Sequence, residues 1–289
     1  MKKAVVLLYI LLGVVTFSCG QKENQTAYKS PKGYNFREPE KHNMPEDLLE
    51  ISGIAFNNFD TKTVYAIQDE EGRLFYGRIT APKFQKTKFG KHGDYEDIAI
   101  CNDQVIVLKS NGKLYMFPLS GIHESEAADV HELADLLPMG EYESLFANAS
   151  TKKVYVLCKN CADEKTTQSS TGYVFDMQTD GSLKPAGNFK IEVSQIHQFV
   201  DDKKIKFRPS AMAYNPRTKE WYIVSSVNKL LVVADDSFKV TAVYPLNPRT
   251  FRQPEGIAFD QKGTLFISNE GDEFSRGNIL EFKYLSSQK

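Results

Sequence analysis

The stretch QPEGIAFDQKGTLFIS, residues 253–268, sets a carboxylate, Glu255, directly ahead of a small apolar run, Gly256-Ile257-Ala258-Phe259. A polar turn follows, then a second apolar run, Leu265-Phe266-Ile267. Apolar runs of this length between polar turns predict strands. A charge at the mouth of a strand headed for a core needs a reason, and repetition supplies one. Four other segments align with it: EISGIAFNNFDTKTVYAIQDEEGRLF from Glu50, YEDIAICNDQVIVLKSNGKLY from Tyr95, YESLFANASTKKVYVLCKN from Tyr142 and PSAMAYNPRTKEWYIVSSVNKLLV from Pro209.

Each copy reads as a short apolar strand, a polar turn, a β-branched and aromatic strand, a second turn and a third strand. No helical period runs through them. The position of Glu255 recurs as Ser52, Glu96, Glu143 and Ser210, with steps of 44, 47, 67 and 45 residues. A repeat of roughly 40–50 residues with this content predicts an all-β fold, a β-propeller of four-stranded antiparallel blades. An open β-sandwich is the competing architecture. Five blades are expected. A sixth is possible if residues 186–206, the source proposed for the excess in the 67-residue step, hide a degenerate copy. The apolar spacing in GIHESEAADVHELADLLP (121–138) predicts a short helix between blades two and three. Residues 33–45 are placed as the outer strand of the last blade, because a ring with an open edge invites association.

First strands of propeller blades line the axis, so Ser52, Glu96, Glu143, Ser210 and Glu255 should form a ring at one end of the channel. Three carboxylates brought together repel and lose hydration, which raises their pKa values. Protonation relieves that cost, and so does a bound cation. With oxygen donors and no His or Cys in the ring, the metal expected is Ca²⁺. The alternative is that each Glu caps backbone N–H groups at a strand entrance.

The 289 residues are 41 % hydrophobic, with 19 Phe, 14 Tyr and one Trp, enough to bury a full core. A net charge of -1 gives no sign of a nucleic-acid partner. Lys2-Lys3 and the apolar residues 4–17 read as a signal peptide over 1–18, too short to span a bilayer. Thr16-Phe17-Ser18-Cys19 resembles a bacterial lipobox with Cys19 as the lipidated residue; a plain secretory peptide is the alternative. Removing Lys2 and Lys3 from the 36 basic side chains leaves 34 against 37 acidic ones. Residues 19–32 read as a flexible tether and 33–289 as the propeller domain. The chain is therefore expected to be a monomeric outer-membrane lipoprotein of the cell envelope, on the periplasmic or the surface face, touching the membrane through its lipid only.

Cys158-Lys159-Asn160-Cys161 is a lone C-x-x-C, read as a local disulfide in an oxidising compartment, with a free thiol pair or a Cys101 partner left open. The five His do not cluster in sequence, and the nucleophile elbow, P-loop, G-x-G-x-x-G and H-E-x-x-H are absent. Gly172-Tyr173 is read as a turn entering a strand.

The order LLEISGIAF, DYEDIAI, EYESLF, RPSAMAY and QPEGIAFDQKGTLFISNE resembles the SdiA-regulated β-propeller family of bacterial envelope proteins over residues 33–285. The resemblance implies a five-bladed propeller distantly related to NHL-repeat proteins, calcium at a shared site and no established activity. Family members carry an acid after the second strand in several blades. This chain has Asp69-Glu70 and Glu270 there but Ser110, Lys159 and Ser226 elsewhere, which weakens any ligand site using that outer ring. Two functions are expected: a calcium-bearing module for an unknown protein or small-molecule ligand, or a calcium-dependent hydrolase of lactones, esters or phosphate esters. For the hydrolase, Asp69, Glu70 or Glu270 would be the base.

Overall fold

The computed structural model describes residues 28–285 except 163 and 203. The signal peptide, Cys19 and the tether as far as residue 27 lie outside the described residues. Strand β1 (Glu40–Asn43) comes first and waits for the end of the chain. Blade one is β2 (Ile51–Asn57), β3 (Asp60–Gln68), β4 (Arg73–Gly77) and β5 (Gln85–Lys88). Blade two is β6 (Tyr95–Cys101), β7 (Gln104–Lys109), β8 (Leu114–Pro118) and β9 (His131–Leu133). Blade three is β10 (Gly140–Asn148), β11 (Lys153–Cys161), β12 (Ser169–Met177) and β13 (Leu183–Glu192). Blade four is β14 (Ala211–Asn215), β15 (Glu220–Ser225), β16 (Leu230–Ala234) and β17 (Val240–Pro245). Blade five is β18 (Pro254–Phe259), β19 (Leu265–Asn269), β20 (Asn278–Phe282) and, as its outer strand, β1.

The first strands touch one another in the order β2, β6, β10, β14, β18 and back to β2, so they encircle the axis. The core is five separate apolar layers, one between each pair of neighbouring blades. A first strand is therefore buried on both faces, which is why it reads as an unbroken apolar run rather than an alternation. Ile257 and Phe259 pack toward blade four while Ala258, between them, packs toward blade one. Ring closure pairs Glu40 with Glu281 and Asn43 with Asn278. Tyr34 extends the seam: its buried hydroxyl donates to the Gly263 carbonyl at 2.6 Å and accepts from the Asn215 amide at 2.8 Å.

Three expectations are corrected. Residues 121–138 form no α-helix. After a 3₁₀ turn, Leu119–His123, the chain lies extended beside blade one and then enters β9. The Lys88 N–H donates to the Ser125 carbonyl and the Ala127 N–H to that of Lys88, and these bonds to a sheet edge hold the segment extended. Residues 186–206 hide no sixth blade. Their first part is the outer strand β13, followed by a single helical turn, α1 (Val193–Ile196). Much of the excess is strand length, since β11, β12 and β13 run to nine, nine and ten residues. Gly172 is no turn; it sits within β12 opposite Phe189. A Cβ there would stand 2.0 Å from the Phe189 ring, so the missing side chain makes room for an aromatic lying across the sheet.

Candidate functional site

The charge at the mouth of each first strand has a common structural cause. In blade two Tyr95 pairs with Lys109 and Asp97 with Leu108, leaving Glu96 as an extra residue. In blade three Tyr142 pairs with Cys158 and Ser144 with Leu157, leaving Glu143. In blade five Pro254 pairs with Asn269 and Gly256 with Ser268, leaving Glu255. Blade one breaks register across Ser52-Gly53. In blade four the Ser210 N–H donates to the carbonyl of Val224, the partner of Ala211. A β-bulge releases a side chain from the pleat and re-aims it. The repeat column is thus a column of register breaks in four of the five blades, and Glu96, Glu143, Glu255 and Ser210 share one electrostatic neighbourhood with Lys159.

Their electrostatics bear the marks of that meeting. Burial pushes the Glu96 carboxyl up to about 8; Asp94 and Glu255 add to the shift and Lys159 opposes it. Burial also raises Glu255, against the hydroxyls of Ser226 and Ser210 and the charges of Lys159 and Lys229. Glu143 is buried and ion-paired to the Lys159 ammonium, which also lies 3.4 Å from Glu141. Ser210 Oγ accepts the Ser226 N–H at 3.2 Å. Ser52 contributes its carbonyl, which accepts from Ser268 Oγ at 2.7 Å and ties blade five to blade one.

The outer ring assembles more fully than its sequence suggests. Burial, with Glu255, Asp69 and Glu50 nearby, brings Glu270 up to about 7, and burial with Glu50 and Glu70 brings Asp69 up to about 6. Asp69 Oδ1 is buried without a hydrogen-bond partner, while Glu70 is exposed, its N–H donating to Gln68 Oε1. Lys159 joins this ring through a second bulge: Tyr142 pairs with Cys158 and Glu141 with Asn160, so Lys159 is extra in β11. A disulfide between Cys158 and Cys161, Cα atoms 5.9 Å apart, spans that bulge. Cys101 is a free, buried thiol that burial pushes up to about 11.

Sequence reasoning missed several members. Asp94 faces Glu96, and Glu50 and Glu141 lie in the same field. These three stand two residues before the bulge in their blades, as Arg208 and Gln253 do in theirs, so a second repeat column was available in the sequence. Asp97 was also missed. It is buried, and its carboxylate accepts the Ile98 N–H at 2.8 Å and, from the neighbouring blade, the Leu145 N–H at 2.7 Å. Burial pushes its pKa well up, and those two donors pull against the shift.

The donor set suits a hard cation chemically. Glu96, Glu143 and Glu255 are carboxylates and Ser210 adds a hydroxyl; a bound cation would displace the protons that burial keeps on Glu96 and Glu255, and the three ionised acids with Lys159 counted would then carry a net charge of -2. The carboxylates are not drawn into a closed cage. Among the described residues, the one trio of acidic, His or Cys ligand atoms within 4.8 Å of one another is Glu40, His42 and Glu281 at the ring-closure seam. An axial ion would be held by Glu96 and Glu255, with Glu143 shared between it and Lys159.

Fold and site together define a five-bladed β-propeller with an acidic axial mouth that carries its own lysine. The SdiA-regulated family profile matches residues 174–276, from within blade three through blade four and into blade five. Among solved structures, a luciferin-regenerating enzyme aligns at 9 % identity with a TM-score of 0.55, covering 86 % of this chain and 96 % of its own. Glutaminyl cyclase from Myxococcus xanthus aligns at 13 % identity with a TM-score of 0.55, covering 84 % and 94 %. Both likenesses establish the fold alone. No curated protein matches the sequence.

Proposed function

We propose that this chain is a lipid-anchored cell-envelope binding module whose axial mouth takes up one calcium ion and presents the surrounding loops to a ligand or protein. The observation that carries the calcium reading is the bulge column. Four of the five blades break register at this position, and Glu96, Glu143, Glu255 and Ser210 come to one end of the channel, where the three acids, once all are ionised by a bound cation, carry a net charge of -2 with Lys159 counted. Hard oxygen donors and that charge favour calcium over softer metals. Anchoring rests on the Thr16-Phe17-Ser18-Cys19 sequence, and the Cys158–Cys161 disulfide fits an oxidising compartment. Calcium should raise the melting temperature by mass action, and Glu143→Gln should remove most of the shift. An unchanged melting temperature in calcium and in chelator would refute the reading.

A second reading has an observation of its own. Glu270 and Asp69 titrate near 7 and 6 beside the axial mouth, the range a general acid or base needs at neutral pH. A calcium-dependent hydrolase would use the ion as a Lewis acid. A panel of lactones, esters and phosphate esters tests it, with turnover expected to collapse in Glu270→Gln; silence across the panel leaves the binding module.

A further inference from the structure

The other end of the axis carries a second feature, independent of the carboxylates. There the first strands of all five blades enclose a cavity of about 170 Å³. Its origin is legible in the repeats. Three residues after the bulge position stand Ala55, Ala99, Ala213 and Ala258, with Phe146 in blade three. All four alanines are buried and line the cavity. Larger side chains at this column would crowd the first strands at this end, and the four alanines leave space there. The residues around them in the lining include Ile98, Leu145 and Phe259, so the larger part of the lining is apolar.

The cavity opens where first strands turn into second strands. Asn58, Asn148 and Ser150 stand at that rim, with Asn58 and Phe59 turning the β2–β3 hairpin in left-handed φ. Tyr34 bonds to Gly263 and Asn215 in the corresponding turns of blades five and four, so the N-terminal segment runs past the same end. The two ends of the channel thus differ in chemistry: acidic at one, and apolar with a polar rim at the other. An apolar space of roughly 150 Å³ is large enough for a benzene-sized guest.

We propose that this cavity binds a small amphiphile, inserting one apolar group the size of a phenyl ring or short alkyl chain and leaving its polar end at the asparagine and serine rim. The test titrates the full chain, labelled at alanine methyls, with benzyl alcohol and, as a control without an apolar group, glycerol. Benzyl alcohol should give saturable shifts at Ala55, Ala99, Ala213 and Ala258 and NOEs from its ring protons to those methyls, in chelator as in calcium. Ala258→Leu or Ala99→Leu fills the space and should weaken binding by about tenfold or more. Shifts that stay linear to the solubility limit, or lie away from these alanines, overturn the proposal. So does undiminished binding in a folded leucine variant. Should neither variant fold, the wild-type NOE pattern alone decides.

Discussion

Replacing Lys159 with methionine removes the ammonium from the acidic mouth while keeping much of the stem that packs there. Two effects follow, and they oppose each other. Without calcium, Glu143, whose side chain is 8 % exposed, loses its partner. Breaking a buried pair costs about 3–5 kcal/mol, and here roughly 2–3 kcal/mol is expected, because the carboxylate can protonate and the lysine kept 17 % exposure. In a domain this large that lowers the melting temperature by about 5–10 °C. With calcium the sign reverses. For illustration, a divalent charge and an ammonium at a separation of about 6 Å repel by roughly 1.5 kcal/mol at a water-like dielectric and about 5 kcal/mol at an effective value of 20. Removing the ammonium should therefore tighten calcium binding by at least about tenfold. Isothermal titration calorimetry reads the affinity, and melting in chelator and in calcium reads both states. Calcium affinity equal to or weaker than that of the wild type would refute the placement of Lys159 as the ion's competitor.

The raised carboxyls give a pH dependence of unusual direction. Glu96, Glu270 and Asp69 hold their protons to about 8, 7 and 6 in the folded chain, so between pH ~4 and ~8 the folded state binds more protons than the unfolded one. Stability in chelator should fall as pH rises through that window, measurably in urea midpoints between pH 5 and 8, and calcium should flatten the slope; a rise toward pH 8 in chelator would contradict the assignment. Asp97→Ala leaves the Ile98 and Leu145 N–H groups buried without an acceptor and should cost about 2–4 kcal/mol in urea unfolding, with calcium affinity much less affected. Cys158→Ser with Cys161→Ser unties the bulge that aims Lys159, and should tighten calcium binding in the same direction as Lys159→Met but by less.

Much of the fold was legible because a propeller writes itself as a period. The runs at Ile54, Ile98, Leu145, Met212 and Ile257 recur in step, and the closing strand could be placed from the need to cover an edge. The helix expected over 121–138 failed for a non-local reason: Lys88, some forty residues earlier, supplies the bonds that hold the segment extended. The site was half legible. Glu96, Glu143 and Glu255 stood out as charges before apolar runs, yet what releases them from the sheet is a bulge, and register shifts leave no mark in composition. The sequence reading took Lys159 to weaken the outer ring; the fold sets it as counter-ion to Glu143. Asp97 was hidden by sitting beside a more conspicuous acid, and its task, accepting an N–H 48 residues further along, belongs to a neighbouring blade.

The seam between β1 and β20 carries a mechanical consequence. His42 and Glu281, whose ring nitrogen and carboxylate oxygen stand 3.0 Å apart, are separated by 239 residues, so the circle cannot shut until nearly the whole polypeptide is present. Contacts so distant along the chain form slowly. A nascent chain would hold four blades and an open gap, with β1 idle, until the final strand arrives. Afterwards, tension applied to the residues before Tyr28 would reach the short β1 and the Tyr34 latch before any other blade. The propeller would fail under load by unzipping at the place where it was finished last.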